Sequence, residues 1–369
     1  MEDYKDKSNQ NKENHMRRYP LVTINRLKLI HNVKATIDLT KKAGITPVAV
    51  TKLFQGDPEI AQIIVDAGIG VLGDSRMQNL IKLKDVKAEK ILMRLPMISE
   101  IDQLIKYADM SLNSEIDTIR AISDYCMAQN TRHKIVLMID MGDRREGILE
   151  EDLDAYAEEI IKLPGVEMVG IGVNFGCYGG IIPECAVMER FLAYKPYLEQ
   201  KYGLNLYHIS SGNSLTLHMI WEGTLPEGST HLRIGQSINL GVEDKYGDVI
   251  EGFEGNIYRL HAEVIEKKTK SSVPVGKIGI DAFGNVPVFV DKGDIDRLIL
   301  GIGKQDVIFD GLTPLDEGVE IIGGSSDHMI LDITSAKRDY KIGDILDFDM
   351  SYSSILSVLN SDYVYKEII

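Results

Sequence analysis

The chain has 369 residues, 44% hydrophobic and 26% charged, enough to build a large core and two domains. Its formal net charge of −15 argues against nucleic acid or an anionic membrane surface as the main partner. Cys126, Cys177 and Cys185 form neither a metal-ligand pattern nor a disulfide framework, which points to a reducing cytoplasm; Cys177 reads as a small buried hydrophobe.

In chain order, the stretch from Met1 to His15 is polar and lysine-rich with no apolar segment. Residues 1–18 therefore read as a disordered tail and not as a secretory signal. No later run is apolar and long enough to span a bilayer. From residue 19 to 245, short apolar runs at 47–52, 71–74, 91–95, 110–113, 135–140, 168–174, 206–210 and 232–234 alternate with amphipathic stretches such as 57–67, 99–108, 114–128, 150–162 and 185–201. Eight strand–helix repeats of this size predict a TIM (β/α)8 barrel. An open doubly wound sheet is the runner-up, but no Gly-x-Gly-x-x-Gly opens a helix. The strand expected at 19–24 can join either domain. From 246 to 369 the runs 259–267, 287–290, 297–302, 319–323, 329–333 and 345–350 are separated by Gly, Asp and Pro turns. They predict a C-terminal, mostly β domain.

The first barrel strand, Thr46-Pro-Val-Ala-Val-Thr-Lys52, delivers a lysine to its C-terminal end. An ammonium at the rim of an apolar core is costly unless it is paired or used chemically. One reading is a stem laid over the core with its head in water; the other is an amine that forms a Schiff base with a carbonyl cofactor. Asp74, Arg94, Asn113, Asp140, Arg145, Asn174, Ser214 and Arg233 also fall near the C-terminal ends of predicted strands, where barrels keep their active sites. That series favours the chemical reading. Ser210-Ser-Gly-Asn-Ser214 can cradle a phosphate or simply cap a helix. Arg233-Ile-Gly-Gln236 sets an arginine and a glycine at the end of the last strand, where barrels often bind phosphate.

Six segments in order carry a resemblance: Lys52, Asp140-Met-Gly-Asp-Arg-Arg-Glu-Gly147, Gly170-Ile-Gly-Val-Asn-Phe175, Ser211-Gly-Asn-Ser214, Leu232-Arg-Ile-Gly235 and Gly324-Ser-Ser-Asp-His-Met-Ile-Leu-Asp332. Together the chain resembles the alanine racemase superfamily, the fold-type III enzymes dependent on pyridoxal 5′-phosphate (PLP). Gly73-Asp-Ser-Arg-Met-Gln-Asn79, Val275-Gly-Lys-Ile-Gly-Ile-Asp-Ala-Phe-Gly-Asn285 and Met350-Ser-Tyr352 are similar to the branch that racemises ornithine. The resemblance implies that Lys52 binds PLP and moves the substrate Cα proton on one face. It implies Arg233 at the pyridine nitrogen, and Ser214, Gly235, Gln236 and Tyr352 at the phosphate. Arg145 is implied near the phenolic oxygen and the substrate carboxylate, and Ser326 at that carboxylate from a neighbouring subunit.

Three departures accompany it. Asn174 stands where alanine racemases carry a histidine near the ring. Met138 replaces a lysine that, as a carbamate, orients the arginine. The family's catalytic tyrosine segment is absent, and 275–285 occupies its place. Asp281 in that segment is the candidate second proton carrier; it reads equally well as a turn residue. No metal is implied. The resemblance implies racemisation of L- and D-ornithine through Cα proton removal and return on opposite faces, in a head-to-tail homodimer. An alanine or broad-specificity racemase is the alternative. A non-catalytic PLP carrier would lack the second domain. A decarboxylase of this framework would show a cysteine beyond Cys185, and an aldolase a metal site. For a basic substrate, Asp74, Asp143, Glu146 and Asp281 are the candidate partners of the side-chain ammonium.

Overall fold

A computed structural model describes residues 17–243, 247–281 and 283–369. The expected tail at 1–18 lies largely outside these residues, as does the expected domain boundary at 245–246. Arg17 is described, and its guanidinium pairs with Glu367 at 2.9 Å.

Strand β1 (Leu21–Ile24) and helix α1 (Arg26–Lys42) lead into the barrel. Strands β2 (Thr46–Val50), β3 (Val71–Asp74), β4 (Glu89–Leu92) and β5 (Met110–Asn113) form its first half. Strands β6 (His133–Met138), β7 (Val166–Val173), β8 (His208–Asn213) and β9 (His231–Ile234) complete it. All neighbours are parallel, and β9 closes on β2 with Val48 opposite Arg233. Helices α2 (Pro58–Asp66), α3 (Met77–Lys82), α4 (Ile101–Tyr107), α5 (Ile116–Ala128), α6 (Leu153–Ile160), α7 (Cys185–Tyr202), α8 (Leu217–Trp221) and α9 (Gln236–Leu240) follow their strands.

Local chemistry sets these elements. In α2, the Asp57 carboxylate accepts the amides of Glu59 and Ile60, Pro58 occupies the first turn, and Ile60, Ala61, Ile63 and Ile64 form one buried face. Such a cap is worth about 1 kcal/mol. The strands are buried on both faces, which is why they read as unbroken β-branched runs. Val48, Ile91, Met110, Leu112, Val136, Met138 and Val169 fill the barrel interior. Met138 sits in this layer against Gly172, where an added Cβ would lie 2.5 Å from its sulfur. Met138 is thus part of an apolar plug.

The C-terminal sheet contains β10 (Tyr258–Ser271), β11 (Asp294–Leu300), β12 (Leu312–Pro314), β13 (Glu320–Gly324), β14 (Met329–Asp332) and β15 (Ile345–Met350), in the order β12-β15-β10-β11-β14-β13. Helix α10 (Tyr352–Leu359) and strand β16 (Tyr365–Ile368) end the chain. Strand β1 belongs to this sheet: it runs antiparallel to β10, with Leu21 opposite His261, and parallel to β16.

Two expectations are corrected. The run 287–290 forms no strand; Val286, Val288 and Val290 are 69%, 91% and 74% exposed, so the chain offers this apolar run no surface to pack on. The turn-rich C-terminal texture also concealed α10, whose buried Ser354, Ile355, Val358 and Leu359 follow helical spacing.

Candidate active site

The barrel mouth opens into a cavity of about 590 Å³, within the usual range for small-molecule sites. Lys52, Arg145, Asn174, Ser214, Arg233, Gly235, Gln236 and Tyr352 all line it. These residues belong to β2, β6, β7, β8 and β9 or the loops after them and to the C-terminal domain, and the barrel residues converge because each lies at or just past the C-terminal end of its strand.

Strand β2 stops at Val50, two residues earlier than expected, and Lys52 opens a single 3-10 turn, Lys52–Phe54. The turn closes through Gln55 and Gly56 at positive φ. A Cβ on Gly56 would meet Asn79 at 2.8 Å, so only glycine fits where the lysine turn crosses α3. Thr51 anchors the turn from beneath: its hydroxyl donates to the Asp74 carboxylate at 2.5 Å. Asp74 is fully buried and also accepts Asn79 Nδ2 and the Arg76 amide. Burial pushes its carboxyl above the usual range against the lowering pull of these hydrogen bonds. Helix α10 packs on the same turn from the C-terminal domain, leaving Lys52 Nζ 5.9 Å from the Tyr352 ring centroid.

Arg233 is buried at the end of β9. Its Nη1 donates to Ser210 Oγ, and its Nη2 donates to the Val173 carbonyl at 2.8 Å and to Asn174 Oδ1 at 3.4 Å. Desolvation pushes its pKa down to about 10, opposed by the nearby Glu146 carboxylate, so it still carries its proton at neutral pH. Ser214 Oγ accepts the Gly235 amide at 3.2 Å. A Cβ on Gly235 would approach Val50 to 3.0 Å, so the glycine lets β9 and the lysine strand close on each other. Arg145 rides the loop after β6, paired with Glu146 at 2.9 Å and 3.9 Å from Asp143. Gly147, at φ +125°, fixes the loop's return, where a Cβ would strike the Asp140 amide at 2.5 Å.

Two expected site residues lie elsewhere on the chain. Ser326 is in the turn between β13 and β14, its hydroxyl on Asp327 at 2.6 Å. Asp281 closes a turn, accepting the amides of Phe283 and Asn285 at 2.9 and 2.8 Å. The Asn285 and Phe283 amides hold its carboxyl below the usual range, which makes it a weak proton acceptor. Cys177, expected in the core, is exposed on the cavity wall. Sequence reasoning gives Thr51 no site role, and gives Ser210 and Asn213 one only as members of the 210–214 segment, whose hydroxyl and amide types are the available signal. Of the acids considered for an ammonium, Glu146 alone lines the cavity among the described residues; Asp74 and Asp143 are buried behind it.

The donor set fits PLP: a lysine for the aldehyde and a guanidinium for the ring nitrogen, whose Nε has no partner among the described residues. A hydroxyl, a tyrosine and a glycine turn suit the phosphate, and a second guanidinium a carboxylate. Among the described residues no group of three or more His, Cys, Asp or Glu is placed to hold a metal, and no helix is long and apolar enough to cross a membrane.

This architecture and mouth define a two-domain racemase fold. The alanine racemase N-terminal domain model matches residues 24–240. The chain is 42% identical to the ornithine racemase of Acetoanaerobium sticklandii, over 95% of this chain and 100% of that protein. It is 41% identical to the lysine racemase of Thermotoga maritima, over 94% and 98% of the two chains. The alanine racemase of Bartonella henselae with covalently bound pyridoxal phosphate shares the fold, with a TM-score of 0.72 at 16% identity, over 96% and 100% of the two chains. The chain belongs to the alanine racemase family and is a PLP-dependent amino-acid racemase.

Proposed function

We propose that this chain interconverts L- and D-ornithine, as a head-to-tail homodimer in the cytoplasm. The observation that carries the reading is the convergence of Lys52, Arg233, Ser214 and Tyr352 on one mouth, in a chain more than 40% identical to an ornithine and a lysine racemase. Bound there, PLP supplies an electron sink that acidifies the substrate Cα–H. Lys52 would take the proton from one enantiomer on its own face, and deliver a proton on that face when the reaction runs in the other direction. Arg233 hydrogen-bonds the ring nitrogen and keeps its own proton, which favours prompt proton return over side reactions. Ser214, the backbone of Gly235 and Gln236, and Tyr352 hold the phosphate. Arg145 receives the substrate carboxylate, and Glu146 the side-chain ammonium, which needs a negative partner beside Lys52, Arg76, Arg94, Arg145 and Arg233. Asn174 lies between Asp143 and Arg233 and would shape the ring side of the cavity.

The opposite face of Cα calls for a second proton carrier, and a second copy of the chain supplies it. Its support is the segment 275–290, where Val275, Ile280, Val286, Val288 and Val290 are each 69–98% exposed, an apolar surface that association would bury. Asp281 lies on that segment and Ser326 on the same domain, so in this reading both act on the neighbouring subunit's mouth. The three unpaired thiols suit a reducing cytoplasm.

The test compares kcat/KM for L-ornithine, lysine, arginine, alanine and serine, following loss of optical rotation at constant total amino acid. Ornithine should lead, since alanine offers no charge to the acidic partner. Alanine equalling ornithine would contradict the reading and point to an alanine racemase. Loss of total amino acid would indicate aldolase or decarboxylase chemistry.

A further inference from the structure

We propose that Asp143 is a positioning residue that ties two of the site's guanidiniums, Arg145 and Arg233, into one network through the Asn174 amide; the proposal rests on the racemase reading of this cavity. Asp143 lies in the loop after β6 and is only 3% exposed, behind the cavity wall. Its Oδ1 accepts the amides of Gly179 at 3.0 Å and Tyr178 at 3.5 Å. Its Oδ2 accepts Asn174 Nδ2 at 3.4 Å and lies 3.9 Å from Arg145 Nε.

A carboxylate only accepts, whereas an amide has one end that donates and one that accepts. Asp143 therefore decides which way Asn174 turns. With Nδ2 on the carboxylate, Asn174 Oδ1 faces Arg233 Nη2 and Asn213 Nδ2, both at 3.4 Å. Turned over, the amide would set a donor against the buried Arg233 guanidinium. With Nη1 on Ser210 and Nη2 on Val173 and Asn174, Arg233 keeps its Nε–H and one Nη1–H for a ligand, as far as the described residues go. The same carboxylate is buried beside Arg145, and a buried charge without a counter-charge is costly, so it also draws Arg145 toward the mouth. One anion thus registers the group that meets the substrate carboxylate with the group that meets the ring.

A purely structural role is the competing account: Asp143 would only seal the 140–147 loop onto residues 178–179. The two accounts part at D143N. Asparagine keeps an oxygen for the Gly179 and Tyr178 amides, so the seal survives. It also presents a donor to Asn174, so the network does not. The reciprocal pair D143N/N174D exchanges amide and carboxylate, and it again gives Arg233 an acceptor.

The experiment compares PLP-loaded wild type, D143N, N174D and D143N/N174D by melting temperature, PLP titration, the absorption and circular dichroism of bound PLP, and steady-state racemisation. D143N should melt close to wild type, alter the bound-cofactor spectrum, and lower kcat on the order of 10–100-fold with a smaller change in KM. D143N/N174D should regain at least about tenfold of that loss and return the spectrum toward wild type, well above the product of the two single effects. A D143N protein with wild-type spectrum and kcat would overturn the proposal. So would a double variant whose losses simply multiply. If D143N unfolds early, recovery of stability and spectrum in the double variant still supports the network, and failure to recover either overturns it. The racemase reading is checked separately, by turnover of the wild-type protein.

Discussion

The barrel mouth and the segment 275–290 are opposites in construction. At the mouth several polar groups are fixed by hydrogen bonds within the chain: Thr51 on Asp74, Arg233 on Ser210 and Val173, Ser214 on Gly235. The segment 275–290 has apolar side chains in the open, and Asp281 spends its hydrogen bonds on its own turn. A site that must hold a cofactor is preorganised within one chain. In the proposed dimer, the segment 275–290 would keep its apolar surface for the second copy of the chain. The mouth should therefore respond to substitution through chemistry, and the segment through association.

The largest effect is expected at Lys52. K52A removes the amine that binds the cofactor and moves the proton, and racemisation should fall by at least about 10³-fold with little change in melting temperature. R233K follows: lysine cannot serve Ser210, Val173 and Asn174 together. The unsatisfied buried groups should cost about 1–3 kcal/mol of stability, with kcat/KM down by roughly 10–100-fold. Thermal melts and steady-state kinetics check both. In the segment, V288D/V290D should leave the monomer's melting temperature unchanged but weaken self-association by about tenfold or more, each tenfold being about 1.4 kcal/mol. Sedimentation at falling protein concentration would then show activity lost together with the dimer. A fully active monomer would break the comparison.

The smallest effect on activity is expected at the opposite end of the barrel. His208 and His231 stack at 3.8 Å, and burial, the largest cause, drives the His231 pKa down to about 4 and that of His208 to about 2. The unfolded chain binds these protons near the ordinary value of 6.5, so stability is unaffected above that pH. It falls as pH drops from 6.5 toward 4, by up to about 1.4 kcal/mol per pH unit for each such histidine. H231N should flatten this acid slope in pH-dependent melts and leave kcat unchanged.

Much of this was legible in the sequence, for identifiable reasons. Strands buried on both faces leave continuous β-branched runs, so the eight barrel strands could be found, and with them the residues at their C-terminal ends. Lys52 and Ser214 stand just past strand ends and Arg233 is next to the last residue of its strand, so they needed no further information. Residues that depend on loop paths were hidden. Asp143 is one acid among several in 140–147, and nothing in periodicity tells a buried carboxylate from a solvated one. Cys177 is of a type usually buried, yet it stands on the cavity wall because Gly176 turns the chain outward at positive φ. The run 287–290 has strand composition but no strand, since composition records what a segment can bury and not whether the same chain provides the surface. Helix α10 went unnoticed because eight residues between turns carry little periodic signal, though it brings Tyr352 to the mouth.

The central claim is that Lys52 holds the cofactor at this mouth. Borohydride reduction of the PLP-loaded protein, followed by proteolysis and mass spectrometry, tests it directly. The account predicts one cofactor-sized mass increase, on the peptide carrying Lys52, absent when reduction is omitted. Label on a different lysine, or a PLP-loaded protein that takes up none, would contradict it.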